Sequence, residues 1–246
     1  MYGKLDRNSR ALLHNTLKGM TMLKNLKIRF SRPLNMLLLM GLSACGISDA
    51  AVTLPDPATD IPLAKTAATQ TAVFAGGCFW GIEAVFEHVR GVTQVVSGYS
   101  GGTAATAKYD LVSAGTTGHA EAVQITYDSS KVTYGQLLKV FFSVAHNPTE
   151  LNRQGPDTGP QYRSAVFHVN DEQKRVVQAY IKQLQAAKVY PQPIVTEVVP
   201  LQAFYAAEAY HQDYVVHHPD QPYIVFNDLP KIANLQRQFP NLYVGR

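Results

Sequence analysis

Cysteine is scarce in this chain. The 246 residues include two, Cys45 and Cys78, and a single tryptophan, Trp80. No cysteine follows Cys78, so thiol chemistry there has no downstream partner for an internal disulfide. Basic charge is scarce where a nucleic-acid surface would need it. The pI is about 9.0, yet Lys4, Arg7, Arg10, Lys18, Lys24, Lys27, Arg29 and Arg32 all precede Cys45, against one acid, Asp6. Taking these from the 22 Lys and Arg and the 18 Asp and Glu leaves 14 basic and 17 acidic residues from Cys45 onward, a net charge of −3. That balance argues against nucleic acid as a partner. Long apolar runs are missing too. Leu34 to Leu42 is too short to span a bilayer. His211, His217 and His218 lack a Cys or acid at standard ligand spacing, so no metal is expected.

That short run has another use. Lys24 to Arg32 reads as a basic n-region, Leu34 to Leu42 as an h-region, and Ser43-Ala44 as small residues before a cleavage point. Leu42-Ser43-Ala44-Cys45 resembles the lipobox of bacterial lipoproteins, in which the cysteine becomes the lipidated N-terminus. Residues 1–44 are therefore expected to be a lipoprotein signal peptide, with translation starting at Met20 or Met22 as an alternative of normal proportions. Gly46, rather than Asp, after the cysteine favours the outer membrane of a bacterial cell envelope, on its periplasmic side. Residues 45–70, rich in Ala, Thr, Pro and Asp, read as a lipidated cysteine and flexible tether. Residues 71–246 are left as the catalytic domain.

The domain is organised around Gly76-Gly77-Cys78-Phe79-Trp80-Gly81. Thr71 to Ala75 is a short apolar run consistent with a buried strand, and Phe79 to Val89 has apolar residues at helical spacing. Cys78 thus sits where a strand turns into a helix, at an N-terminus whose free N–H groups and dipole favour a thiolate. A lowered thiol pKa is the expectation. A lone cysteine behind a lipid anchor, in an oxidising compartment, points to function more than to packing.

Further strands are expected at Thr93–Tyr99, His119–Tyr127, Tyr162–Val169 and Ile194–Val199. Helices are expected at Thr133–Ala145, Asp171–Lys188 and Ala203–Val216. The loop 147–160 is longer than a connection needs. The order β-α-β-β-α-β with additions is that of an α/β (α+β) ferredoxin-like split β-α-β two-layer sandwich with added helices and long loops. In the third strand, alternation sets Glu121 on one face with Val123, Ile125 and Tyr127. An apolar face would raise the Glu121 pKa and keep the acid neutral.

Several segments together resemble the type A peptide methionine sulfoxide reductases. They are Gly77-Cys78-Phe79-Trp80-Gly81, Gly98-Tyr99-Ser100-Gly101-Gly102, Tyr109 with Gly118-His119-Ala120-Glu121-Ala122-Val123, Gln161-Tyr162-Arg163-Ser164 and Tyr210-His211-Gln212. The resemblance covers about residues 71 to 216. It implies reduction of methionine-S-sulfoxide, free or in proteins, and repair of oxidised envelope proteins. It implies Cys78 as the nucleophile, Glu121 as the acid that protonates the sulfoxide oxygen, and Tyr109 and Tyr162 as hydroxyls bonded to that oxygen. Phe79 and Trp80 would form the pocket for the S-methyl group, with Asp157 and His211 among the substrate-binding residues. No cofactor is implied. The reductant would be external, a thioredoxin-like protein or a small thiol, and a monomer is expected. Two departures stand out: Pro160 replaces the usual Thr, and the C-terminal resolving cysteines of many members are missing. A Cys78–His119 hydrolase and a lipid-anchored solute-binding module remain the alternatives at this point.

Overall fold

The computed structural model describes residues 54–245. The expected signal peptide, Cys45 and the first part of the tether lie outside these residues. The central sheet has six strands in the order β7-β6-β1-β3-β2-β8. In chain order these are β1 (Thr69–Gly76), β2 (Val92–Ser100), β3 (Ala120–Asp128), β6 (Ser164–His168), β7 (Glu197–Pro200) and β8 (Phe204–Ala206). A two-residue hairpin, β4 (Arg153–Gln154) and β5 (Asp157–Thr158), stands apart. The inner four strands pair antiparallel, and β7 runs parallel to β6. The helices are α1 (Phe79–Glu87), α2 (Tyr109–Val112), α3 (Tyr134–Val140), α4 (Asp171–Ala186), α5 (Tyr214–His217) and α6 (Leu229–Gln238). The inner strands with α1 and α3 are the split β-α-β arrangement expected from the sequence.

Strand alternation divides the core. Phe74 and Ala72 of β1 join Val123, Ile125 and Tyr127 of β3 on the helix-covered face. Val73 and Ala75 join Ala120, Ala122, Ala165 and Phe167 on the other. Phe74 anchors the larger core, stacked on Phe141 at 4.8 Å and tilted against Phe86 at 5.6 Å. Burying one such ring stabilises the fold by about 1.5–3 kcal/mol. Helix α3 starts at a capping box: Thr133 Oγ1 accepts from Gln136 N–H, and the Gln136 side chain accepts from Thr133 N–H.

Two expectations need correction. Residues 203–216 are not one helix, and only their last three residues, in α5, are α-helical. Phe204–Ala206 pairs with Gly98–Ser100 as an edge strand, and a single 3₁₀ turn follows at Ala209–His211. The polar side chains that suggested a helical stripe are spent on other elements. Glu208 accepts from Tyr99 Oη at 2.8 Å and from Tyr109 N–H at 3.0 Å. Gln212 bonds both the N–H and the carbonyl of Ser97. Asp213 then adopts φ 53°, a break that no continuous helix could span, and the short α5 begins only after it. The second correction concerns the tether, which from Leu54 onward is docked. Leu54 is buried in the main core. Asp60 accepts from Gly135 N–H at 2.7 Å and from the Thr133 hydroxyl, and Tyr180 Oη donates to the Pro55 carbonyl.

Candidate active site

Gly77 has φ +102°, a conformation open to glycine and costly for other residues. The turn delivers Cys78 to the N-cap of α1. The neighbouring Gly81, in the first turn of that helix, has Asp228 and Lys231 against its α-carbon. Across the helix N-terminus stands Glu121, whose Oε2 accepts from Phe79 N–H at 3.1 Å. The strand β3 puts that carboxyl on the helix-facing side, 2% exposed.

Both acidic groups keep their protons. Burial is the main cause that pushes Glu121 up to about 8; Asp157 adds to it and the Phe79 N–H opposes it. Cys78 is pushed well above the ordinary thiol value, first by burial and then by the carboxylates of Glu121 and Asp228. The Trp80 N–H and the Lys231 ammonium pull the other way and do not prevail. The expectation of an ionised thiol is therefore overturned for the resting site. The helix terminus stabilises a thiolate by a fraction of what desolvation costs it. At neutral pH the resting site holds a neutral thiol beside a neutral carboxylic acid.

An aromatic wall closes one side. Trp80 stacks flat on Tyr214 at 3.7 Å and 5°, and Tyr223 meets it edge-on at 6.0 Å. Phe79 lies 5.1 Å from His211. Trp80 Nε1 donates to His211 Nδ1 at 3.2 Å. Indole nitrogen can only donate, so His211 is the neutral tautomer with its proton on Nε2. Burial lowers its pKa accordingly. Tyr109 packs on the same ring at 4.4 Å. The charges of Glu121 and Cys78 are both felt at Tyr109 and at Tyr162, where burial is the larger cause of a raised pKa. Asp157, on the hairpin strand β5, accepts from the Tyr223 hydroxyl. Cys78, Glu121, Tyr109, Tyr162, Phe79, Trp80, Asp157 and His211 thus belong to one neighbourhood.

His119 belongs elsewhere. Its Nδ1 accepts from Gly102 N–H at 3.2 Å and its Nε2 meets the Thr103 carbonyl at 3.0 Å. Both nitrogens hold the 102–103 turn, so no Cys78–His119 pair exists for acyl transfer. Among the described residues no group of three or more His, Cys, Asp or Glu could hold a metal ion. Nor is any helix among them long and apolar enough to cross a membrane. Tyr223, Asp228 and Lys231 were missed by sequence reasoning. They lie beyond residue 216, where Pro230 in the first turn of α6 is the available helix-start signal.

The chain that carries this neighbourhood is similar to known proteins. A family model described as peptide methionine sulfoxide reductase matches residues 70–242, a span that includes Tyr223, Asp228 and Lys231. A protein of Mesorhizobium japonicum named peptide methionine sulfoxide reductase MsrA 2 is 62% identical over 175 residues, covering 71% of this chain and 90% of its own. The Thermus thermophilus protein named peptide methionine sulfoxide reductase MsrA is 48% identical over 173 residues, covering 70% and 97%. Among solved structures, reduced Mxr1 from Saccharomyces cerevisiae superposes with a TM-score of 0.56 at 30% identity, covering 64% of this chain and 92% of that one. Methionine sulfoxide reductase A of Corynebacterium diphtheriae gives 0.53 at 33% identity, covering 68% and 84%. Fold and sequence agree, and the chain belongs to the peptide methionine sulfoxide reductase family.

Proposed function

We propose that this oxidoreductase reduces methionine sulfoxide to methionine, with Cys78 as the nucleophile. The carrying observation is the pairing of Cys78 with the neutral Glu121 acid at one helix N-terminus, beside an aromatic wall. Cys78 Sγ attacks the sulfoxide sulfur. Glu121 gives its proton to the sulfoxide oxygen, which makes that sulfur electrophilic, and Tyr109 and Tyr162 donate hydrogen bonds to the same oxygen. As the sulfur–sulfur bond forms, the thiol proton returns to Glu121. The oxygen then passes to Cys78 with its hydrogen, leaving methionine and a Cys78 sulfenic acid. A neutral resting thiol suits this cycle, because the one proton that Glu121 gives away is replaced by the one that Cys78 loses. Phe79 and Trp80 would receive the S-methyl group, and the S epimer is the one accepted.

Two equivalents of external thiol restore the enzyme. They convert the sulfenic acid to thiol and water and leave as a disulfide, from a thioredoxin-like protein or a small thiol. No cysteine lies downstream of Cys78 to take that part internally. The lipobox at Leu42-Ser43-Ala44-Cys45 supports a lipid-anchored form at the periplasmic side of the outer membrane, serving oxidised envelope proteins. Turnover of methionine-S-sulfoxide with dithiothreitol tests the chemistry. Wild type should turn over and Cys78→Ser should fall to background; activity in Cys78→Ser would remove the thiol from the reaction.

A further inference from the structure

Asp228 and Lys231 have no part in the reaction as described, yet both press on the first turn of α1. The irregular helical turn Ile224–Asp228 ends at Asp228, and Lys231 sits in the first turn of α6. The Asp228 side chain is 0% exposed and that of Lys231 is 19% exposed. Asp228 Oδ1 accepts from Lys231 Nζ at 3.0 Å. Its Oδ2 has no hydrogen-bond partner among the described residues. Burying an ion pair costs several kcal/mol per ion unless something is gained, and here the carboxylate is only half satisfied.

Gly81 admits the pair. A β-carbon there would overlap Asp228 Oδ1 and stand 2.7 Å from Lys231 Nζ. Gly81 is the third residue of α1, one turn from Cys78 at the N-cap. A buried carboxylate and a nearly buried ammonium therefore reach the same helical turn as the reacting thiol. The other titratable groups interacting with that thiol are Glu121 from β3, Tyr109 from α2, Tyr162 from the turn before β6, and Tyr223, with Asp157 of β5 acting on Glu121 and Tyr223. With Glu121 protonated, Asp228 is the anion and Lys231 the cation whose charges act on Cys78; Glu121 joins the anions only once it has lost its proton. A sulfur about to become negative has one positive neighbour, and that neighbour is fixed in place by Asp228.

We propose that Lys231, held by Asp228 against Gly81, is a positioning residue whose ammonium supports the negative charge that builds on Cys78 as its proton departs. Asp228 does the opposite and, behind burial, adds to what keeps the resting thiol protonated. The pair thus sets how reluctantly Cys78 ionises. The inference rests on the reductase reading for its purpose, but its test needs no sulfoxide.

The test is the rate of Cys78 alkylation by iodoacetamide against pH in the full chain, with Cys45 counted separately by peptide mass. At pH 8, Lys231→Met should slow alkylation and Asp228→Asn should speed it, each by up to about tenfold, the effect of a one-unit change in the thiol pKa. Lys231→Arg should restore most of the wild-type rate. A structural role would move both variants in the same direction, and that result, or no change in either, would overturn the proposal. If Lys231→Met does not fold, Asp228→Asn decides alone, since it preserves shape and the bond to Lys231; an unchanged or slower rate sinks the idea. Turnover failing while these rates shift would indict the substrate assignment, and the reverse would indict the pair.

Discussion

Glu121 and Glu83 are two buried glutamates in one protein, each 2% exposed and each pushed up to about 8 chiefly by burial. Their neighbours separate them. Glu83 Oε1 accepts from Ser97 N–H at 3.3 Å and Oε2 from Asp213 N–H at 3.0 Å. Both oxygens are spent on backbone, and they tie α1 to the segment that carries His211. Glu121 spends Oε2 on the Phe79 N–H, and once ionised its charge is felt at Cys78, Tyr109 and Tyr162. The same residue type, burial and direction of shift therefore serve a scaffold in one place and, in the mechanism we propose, proton transfer in the other. A raised pKa alone does not mark a catalytic acid; what lies within reach of its proton does.

The largest expected effect breaks the pair apart on activity. Glu121→Ala should lower kcat/KM by about 10²–10⁴-fold, the usual range for a lost general acid. Glu121→Gln should lose less, because the amide still donates a hydrogen bond to the sulfoxide oxygen. Steady-state assays at pH 7 separate the two, and full activity in Glu121→Ala would remove the residue from the mechanism. Above pH 8 wild-type kcat/KM should fall as Glu121 loses its proton, and Glu121→Gln should lack that limb.

A smaller effect is expected at Glu83, and on stability. Glu83→Ala leaves the Asp213 N–H without its acceptor, while Ser97 N–H keeps Gln212 Oε1, and should cost about 1–3 kcal/mol in urea unfolding, with kcat/KM changed far less than by Glu121→Ala. The pH dependence has a definite sign. Between about 4.5 and about 8 the unfolded chain has lost the Glu83 proton while the folded chain keeps it. The folded state binds more protons in that window, so stability falls as pH rises through it. Glu83→Gln removes this contribution, so its stability relative to wild type should improve from pH 5 to pH 8. A difference that stays flat across the window would show that Glu83 is ionised in the fold.

Much of this was legible in the sequence for physical reasons. The apolar alternation of β3 placed Glu121 on the buried face, and the strand–Gly-Gly–helix junction placed Cys78 at the α1 N-terminus. Local pattern sufficed for both. The thiol pKa was misjudged because the helix terminus is a local feature. The opposing desolvation and the carboxylates of Glu121 and Asp228 come from residues distant in sequence. Residues 203–216 misled because Glu208 and Gln212 fall at helical spacing yet bond to β2 and its neighbours. Residues 54–70 looked flexible by composition, but Leu54 and Asp60 find partners in the core and on α3.

The central claim is that one thiol does the chemistry and nothing in the chain resolves it. A form of the protein beginning at Gly46, given excess methionine-S-sulfoxide and no reductant, tests it most directly. One equivalent of methionine should form, Cys78 should gain the mass of one oxygen or be trapped by a sulfenic-acid reagent, and added thiol should restart turnover. Several equivalents without reductant, or none with or without thiol, would contradict the account.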